Sequence, residues 1–179
     1  MASILKVNTI QDATNSNTAI SVDSSGRVTT PLKPAFRAYS TASGWTTVTH
    51  NEYQIMQLNA EKFDIGGHYD TSTYRFTCPV DGMYWFGMRA YMHADGGTLR
   101  ATIIKGTTNP ATDEQTFLAQ DYRSSNVSQR NGTLQCSSVV QMSATDQVGA
   151  YVRHDSDTNN SYYSENKIVY RSFEGYLVG

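Results

Sequence analysis

An all-β sandwich of the jelly-roll type is the fold this sequence predicts, and three observations lead to it. From residue 34 onward, short apolar runs alternate with polar loops at the spacing of sandwich strands, without long helical patterns. Ser, Thr, Asn and Tyr are plentiful while charged residues make up only 17% of the 179, which suits turns and Tyr-rich sheet surfaces. The stretch 63–91, FDIGGHYDTSTYRFTCPVDGMYWFGMRAY, reads as an aromatic strand, a Pro79-Val80-Asp81-Gly82 turn and a second aromatic strand. Roughly eight to ten short strands without helices make a double-sheet jelly roll.

In chain order, residues 1–33 stand apart because they contain no aromatic residue with which to build a core. Ile4, Leu5, Val7 and Ile10 are spaced to add a strand to a neighbour's sheet edge. Ile20-Ser21-Val22, then Asp23 to Gly26, then Arg27-Val28 read as a small hairpin with glycine in its turn. Pro31 and Pro34 bracket a stiff link. Extended at ~3.3 Å per residue, this segment reaches roughly 100 Å. It is read as an attachment arm, 1–33, with Ile4, Leu5, Val7, Ile10, Ile20 and Val22 as docking residues, ahead of one domain, 34–179. Lys6 and Asn8 interrupt the first aliphatics, so no signal-peptide core is expected, and no run approaches the ~20 apolar residues of a membrane span.

Strands are expected at 35–38, 53–58, 74–77, 82–92, 99–104, 116–122, 133–142, 147–153 and 168–177, with polar loops at 106–113, 123–132 and 154–166. The strand at 82–92 is apolar on both faces. Tyr84, Phe86, Met88, Ala90 and Met92 form one, while Met83, Trp85, Gly87, Arg89 and Tyr91 form the other. The outer side of an antiparallel sandwich is ordinarily polar. Its apolar character here predicts that another chain covers it, with Met83, Trp85, Tyr91, Tyr170 and Tyr176 as interface residues. Tyr162 and Tyr163 fall in a loop, where tyrosine serves an interface or the face of a sugar equally well.

Enzyme chemistry finds little support. His50, His68, His93 and His154 are isolated, without a metal-spaced pair, and neither a nucleophile elbow nor a phosphate-binding glycine loop occurs. Asp155, Asp157 and Asn159 open like a calcium loop, but Asn160 takes the glycine position and Asn166 the bidentate glutamate position. No metal and no cofactor is expected. A net charge of −2 argues against a nucleic-acid partner. Cys78 and Cys136 are read as two buried thiols, with pairing open to them in an oxidising compartment.

The 63–91 stretch resembles the signature of the C1q/TNF-like superfamily. After Phe63, its pattern Y-D-x-x-T-G-x-F-x-C-x-x-x-G-x-Y-x-F is met by Tyr69, Asp70, Thr73, Phe76, Cys78, Gly82, Tyr84 and Phe86. Tyr74 replaces the first glycine, so a differently built turn is expected there. Met142 to Val148 resembles the family's L-x-x-G-D-x-V, with Thr145 for glycine, and Phe173-Glu-Gly175-Tyr-Leu177 resembles its closing F-x-G-x-L. With Pro34-Ala35-Phe36 as the opening strand, the resemblance spans 34–179 and implies a jelly roll that forms a homotrimer.

The opening KVNTIQD and VDSSGRV are similar to segments that precede knobs in tailed-phage virion proteins. That similarity implies a virion structural protein, and the size of a short arm with a single knob, without the shaft of a long tail fibre, places it as a decoration or cement protein on the capsid surface rather than the tail. In it, residues 1–33 would hold a capsid or other virion protein. Two alternatives are a short fibre knob that binds a host surface glycan or receptor, and a soluble lectin-like or cytokine-like module.

Overall fold

The computed structural model of the chain describes residues 5–94, 97–107, 116–125, 130–155, 160–163 and 171–178. Its strands in chain order are β1 (Thr9–Gln11), β2 (Thr18–Val22), β3 (Val28–Thr29), β4 (Ala35–Tyr39), β5 (Trp45–Val48), β6 (Gln54–Ile55), β7 (Ala60–Ile65) and β8 (Tyr69–Asp70). They continue as β9 (Arg75–Thr77), β10 (Gly82–Ala94), β11 (Gly97–Lys105), β12 (Phe117–Ser125), β13 (Arg130–Met142), β14 (Gln147–His154), β15 (Asn160–Tyr163) and β16 (Arg171–Leu177).

Two antiparallel sheets face each other across one core. In the first, β13 takes one whole side of β10. The other side of β10 is therefore shared, with Tyr84 to Ala90 on β16 and Met92-His93 on β15. β4 and then β7 extend this sheet beyond β16, and β5 extends it beyond β15. The second sheet runs β12-β11-β14-β9-β8, with β6 also on β14. Alternation sends Tyr84, Phe86, Met88, Ala90 and Met92 inward, and all five are buried.

The residues that carry the family resemblance meet in that core. The Phe36 ring stacks on Phe76 at 4.6 Å and on Tyr69 at 5.2 Å, and meets the edge of Phe173 at 5.0 Å. Gly175 lets these rings close up, because a Cβ there would stand 2.5 Å from Phe86 and 2.9 Å from Phe36. Such a network of offset and edge contacts adds about 0.5–1.5 kcal/mol per pair to the burial itself.

Several local expectations are corrected. The turn at Tyr74 is not built differently, since Tyr74 takes a left-handed φ of 60°, the conformation a glycine would supply. Asp70 forces it by accepting from the Ser72 hydroxyl at 2.6 Å and its N–H at 2.7 Å, while Tyr74 N–H donates to Asp70 O at 2.7 Å. These bonds, the Ser72 hydroxyl first, hold the Asp70 carboxyl down at about 2. Thr145, at the second missing glycine, has φ 73° and donates its N–H to Cys78 O at 2.7 Å.

The strand expected at 53–58 shrinks to β6, with Met56 still donating its N–H to Ala150 O at 2.8 Å and both Met56 and Leu58 filling the core. Expected loops at 123–132 and 154–166 contain strand, at the end of β12, the start of β13 and β15. β5, β7 and β8 were not expected, since their residues are too polar to alternate clearly.

The first segment forms its own antiparallel sheet, β1-β2-β3. The hairpin expected at 20–28 is present, and Ile10 pairs with Ile20 of the same chain on the inner side of edge strand β1. Asp12 accepts the backbone N–H groups of Thr14, Asn15 and Asn17, and Asp23 those of Ser25 and Arg27, which ties both turns. The segment meets the sandwich at its base, where Lys33 Nζ donates to Val178 O at 2.6 Å and Leu177 N–H to Pro34 O at 3.0 Å. Ile4 lies outside the described residues.

Candidate self-association surface

The outer face of the β10 sheet is built by residues alternate to the core. On β10 these are Met83, Trp85, Gly87, Arg89, Tyr91 and His93. Register places Val139 of β13 and Tyr176 of β16 on either side of Trp85. Further out, Ala35 opposes Tyr176 and Ile65, and Phe63 opposes Arg37. An apolar band thus crosses the strands at one end of the sheet, with Val139 50%, Tyr176 46% and Phe63 47% exposed. Met83, Ile65 and Val178 are exposed beside them.

Trp85 is the half-buried centre of the band. Its indole stacks on the Tyr176 ring at 5.3 Å and 29°, and folds flat over Gly87. A Cβ on Gly87 would stand 2.5 Å from the indole, so glycine is what admits this rotamer. Beyond Gly87 the face turns polar around a hollow of about 340 Å³. Arg37 Nε pairs with Glu174 at 2.7 Å there, and Arg89 Nη2 donates to Gln135 Oε1 at 3.3 Å. At the far end Trp45 is 46% exposed, 5.6 Å from the His93 ring and 6.1 Å from Tyr91.

Of the interface residues expected from sequence, Met83, Trp85, Tyr91 and Tyr176 share this face, while Tyr170 lies outside the described residues. Sequence reasoning missed Val139, Phe63, Ile65 and Trp45. Val139 sits in a run whose two faces are both mixed, and Trp45 in a Ser/Thr/Gly stretch outside the expected strands. Of the arm residues, Leu5 and Val7 are exposed, and Ile10, Ile20 and Val22 belong to the three-stranded sheet.

Among the described residues no group of three or more His, Cys, Asp or Glu is placed to hold a metal ion. Asp155, the start of the expected calcium-like loop, accepts the Thr98 N–H, and 156–159 lie outside the described residues. His50 and His154, isolated in sequence, meet at 5.8 Å, with His154 Nε2 donating to Val48 O at 2.7 Å. Cys78 and Cys136 are both unpaired, and burial pushes each thiol up to about 12.

With the two sheets, the aromatic core and the glycine of the closing strand in place, residues 35–178 match the C1q domain family. The chain belongs to the C1q domain family. Solved structures agree on the fold. Eiger TNF from S. frugiperda is similar with a TM-score of 0.61 at 13% identity, covering 82% of this chain and 94% of that one. The globular domain of zebrafish complement 1qA protein is similar with a TM-score of 0.54 at 20% identity, covering 82% and 98%. Within this C1q domain, Tyr74 and Thr145 keep the left-handed turns without the glycines of the family's pattern.

Proposed function

We propose that this C1q-domain protein is a non-enzymatic virion structural protein, a homotrimeric knob that decorates a phage capsid through residues 1–33. The bare apolar band on the β10 sheet carries the trimer. Tryptophan, tyrosine, methionine and aliphatic residues in one contiguous patch are what a desolvated interface core contains. Attachment by residues 1–33 is supported by their separate sheet, whose outer strand β1 leads back to exposed Leu5 and Val7. An open strand edge takes a partner strand through backbone hydrogen bonds, and three arms on one trimer multiply a modest affinity. The KVNTIQD and VDSSGRV segments support the virion setting.

Light scattering and particle rebinding test this reading. The expected mass is three times the 19.8 kDa chain, and protein lacking residues 1–33 stays trimeric but no longer decorates particles that lack the native one. A single-chain mass, or full decoration without residues 1–33, overturns it.

A second reading rests on Trp45. A half-exposed indole flanked by Tyr91 and His93 has the chemistry to stack on a sugar ring, as a receptor-binding fibre knob requires. Glycan-array binding that disappears in Trp45→Ala would favour it over decoration.

A further inference from the structure

The three-stranded sheet of residues 9–29 has two faces, and its register decides what each carries. Opposed residues of antiparallel strands share a face, and successive residues of one strand alternate between faces. Ile10 opposes Ile20, and Val22 opposes Val28. Ile20 and Val22 are two apart on β2, so Ile10, Ile20, Val22 and Val28 make one aliphatic face. Thr9 opposes Ser21, and Ser21 opposes Thr29, so the other face carries hydroxyls.

The two faces differ in chemistry and not in cover, since each has exposed and half-buried residues. Thr9, Ser21 and Thr29 line an open hollow together with Pro31 and Leu32 of the chain's own link. The aliphatic face is open to solvent at its outer strands, with Ile10 48% and Val28 65% exposed, while Ile20 and Val22 between them are half-buried. Three short strands without aromatic residues do not hold such a face against water by themselves, and packing on another element is what stabilises them.

Charge and position select what packs there. β1, β2 and β3 contain no charged residue. Asp12 and Asp23 are held in their turns, Arg27 pairs with Asp23 at 2.6 Å, and Lys33 donates to Val178 O. Like can therefore meet like on the aliphatic face without repulsion. The segment also leaves the sandwich inside the apolar band, because Ala35 opens β4 directly opposite Tyr176. Knobs that close through that band bring their N-terminal sheets side by side, where high effective concentration lets a small contact form.

We propose that the Ile10, Ile20, Val22 and Val28 faces of three copies pack against one another, forming a second, β-walled interface at the foot of the knobs. This rests on the trimer of the proposed function. It refines the role of the arm: Ile10, Ile20 and Val22 serve self-association, which leaves the β1 edge with Leu5 and Val7 to hold the virion.

Cysteine cross-linking of the full-length chain tests the packing face by face. Val28→Cys, treated with a short bismaleimide, is expected to give linked dimers and trimers on a denaturing gel. Thr29→Cys, one residue on but on the opposite face, is expected to give none, and the unsubstituted chain reports any background from Cys78 and Cys136. Adding Ile20→Asp to Val28→Cys is expected to abolish linking while light scattering still reads three chains. If the mass is three chains and the two cysteines link equally or not at all, the packing is overturned and the trimer stands. A single-chain mass overturns both. Linking of Val28→Cys that appears only on virus particles assigns the face to a virion partner and also overturns the proposal.

Discussion

On the outer face of the β11 sheet, Tyr151 lies beside Gly149 and is 1% exposed; on the outer face of the β10 sheet, Trp85 lies over Gly87 and is half-buried. In both places a glycine two residues away makes room for a ring to lie along the strand. A Cβ would stand 3.0 Å from the Tyr151 ring at Gly149 and 2.5 Å from Trp85 at Gly87. The surroundings differ. Tyr53 and Ile104 pack with Tyr151 in a small second cluster, Ile55 and Phe117 lie against it, and the Arg153 guanidinium sits 5.2 Å over the Tyr53 ring. Trp85 has Tyr176 beside it and no such lid among the described residues. The chain itself closes over the ring on the β11 sheet, while the ring on the β10 sheet stays half-exposed among the described residues.

The largest effect expected from breaking that comparison is at the two rings. Tyr151→Ala removes a fully buried aromatic, a loss of ~3–5 kcal/mol that falls on the single-chain fold. Thermal denaturation should show the melting temperature lowered by roughly 10 °C or more. Trp85→Ala is expected to act at every subunit contact, at ~2 kcal/mol or more each. It should yield single chains by light scattering while the circular-dichroism spectrum stays that of the native sandwich. The reverse pattern would show that the faces are assigned the wrong way round.

Gly87→Ala sharpens the same point with one methyl group. It drives the indole off the strand at a cost of ~1–3 kcal/mol, and the expected readout is a higher dissociation constant with an unchanged fold. Tyr74→Gly and Thr145→Gly work in the other direction, on the turns and not on either face. Each relieves a left-handed conformation worth ~1–2 kcal/mol against the added flexibility of glycine, so urea midpoints should rise by up to ~1 kcal/mol equivalent without any change in mass.

The smallest effect expected is a pH dependence at His154, where β5 of one sheet meets β14 of the other. Burial lowers its pKa despite the opposing bond to Val48 O, with nearby His50 lowering it further and Asp155 raising it. The folded protein thus keeps His154 neutral where the unfolded chain, near 6.5, begins to take up a proton. Its contribution is complete above about pH 6.5 and declines as pH falls from there to the folded value. Melting curves between pH 7 and 5 should fall accordingly, and His154→Gln, which keeps a donor for Val48 O, should flatten the slope.

Much of the sandwich was legible because its strands declare themselves by period. Tyr84, Phe86 and Met88 alternate with Met83, Trp85 and Gly87, and the sequence motif already placed Phe36, Phe76 and Phe173 on strands. β5, β7 and β15 were not legible. Trp45, Phe63 and Tyr162 sit among polar neighbours, and their pairing is imposed by β15, β4 and β10 respectively. Strand formation of that kind is a property of the partner more than of the segment.

The sequence by itself determined the fold class and the two-sided apolar character of β10, because hydrophobic period is local. Only the tertiary structure decided which outer surface stays bare. Tyr53 and Phe117 are far apart in sequence, and nothing local says that they meet at 5.1 Å to close one sheet. Likewise Phe63, Ala35, Tyr176, Trp85 and Val139 become one band only when β7, β4, β16, β10 and β13 lie in register. Local sequence sets which side chains point outward, and the pairing of distant strands sets which of them then share a surface.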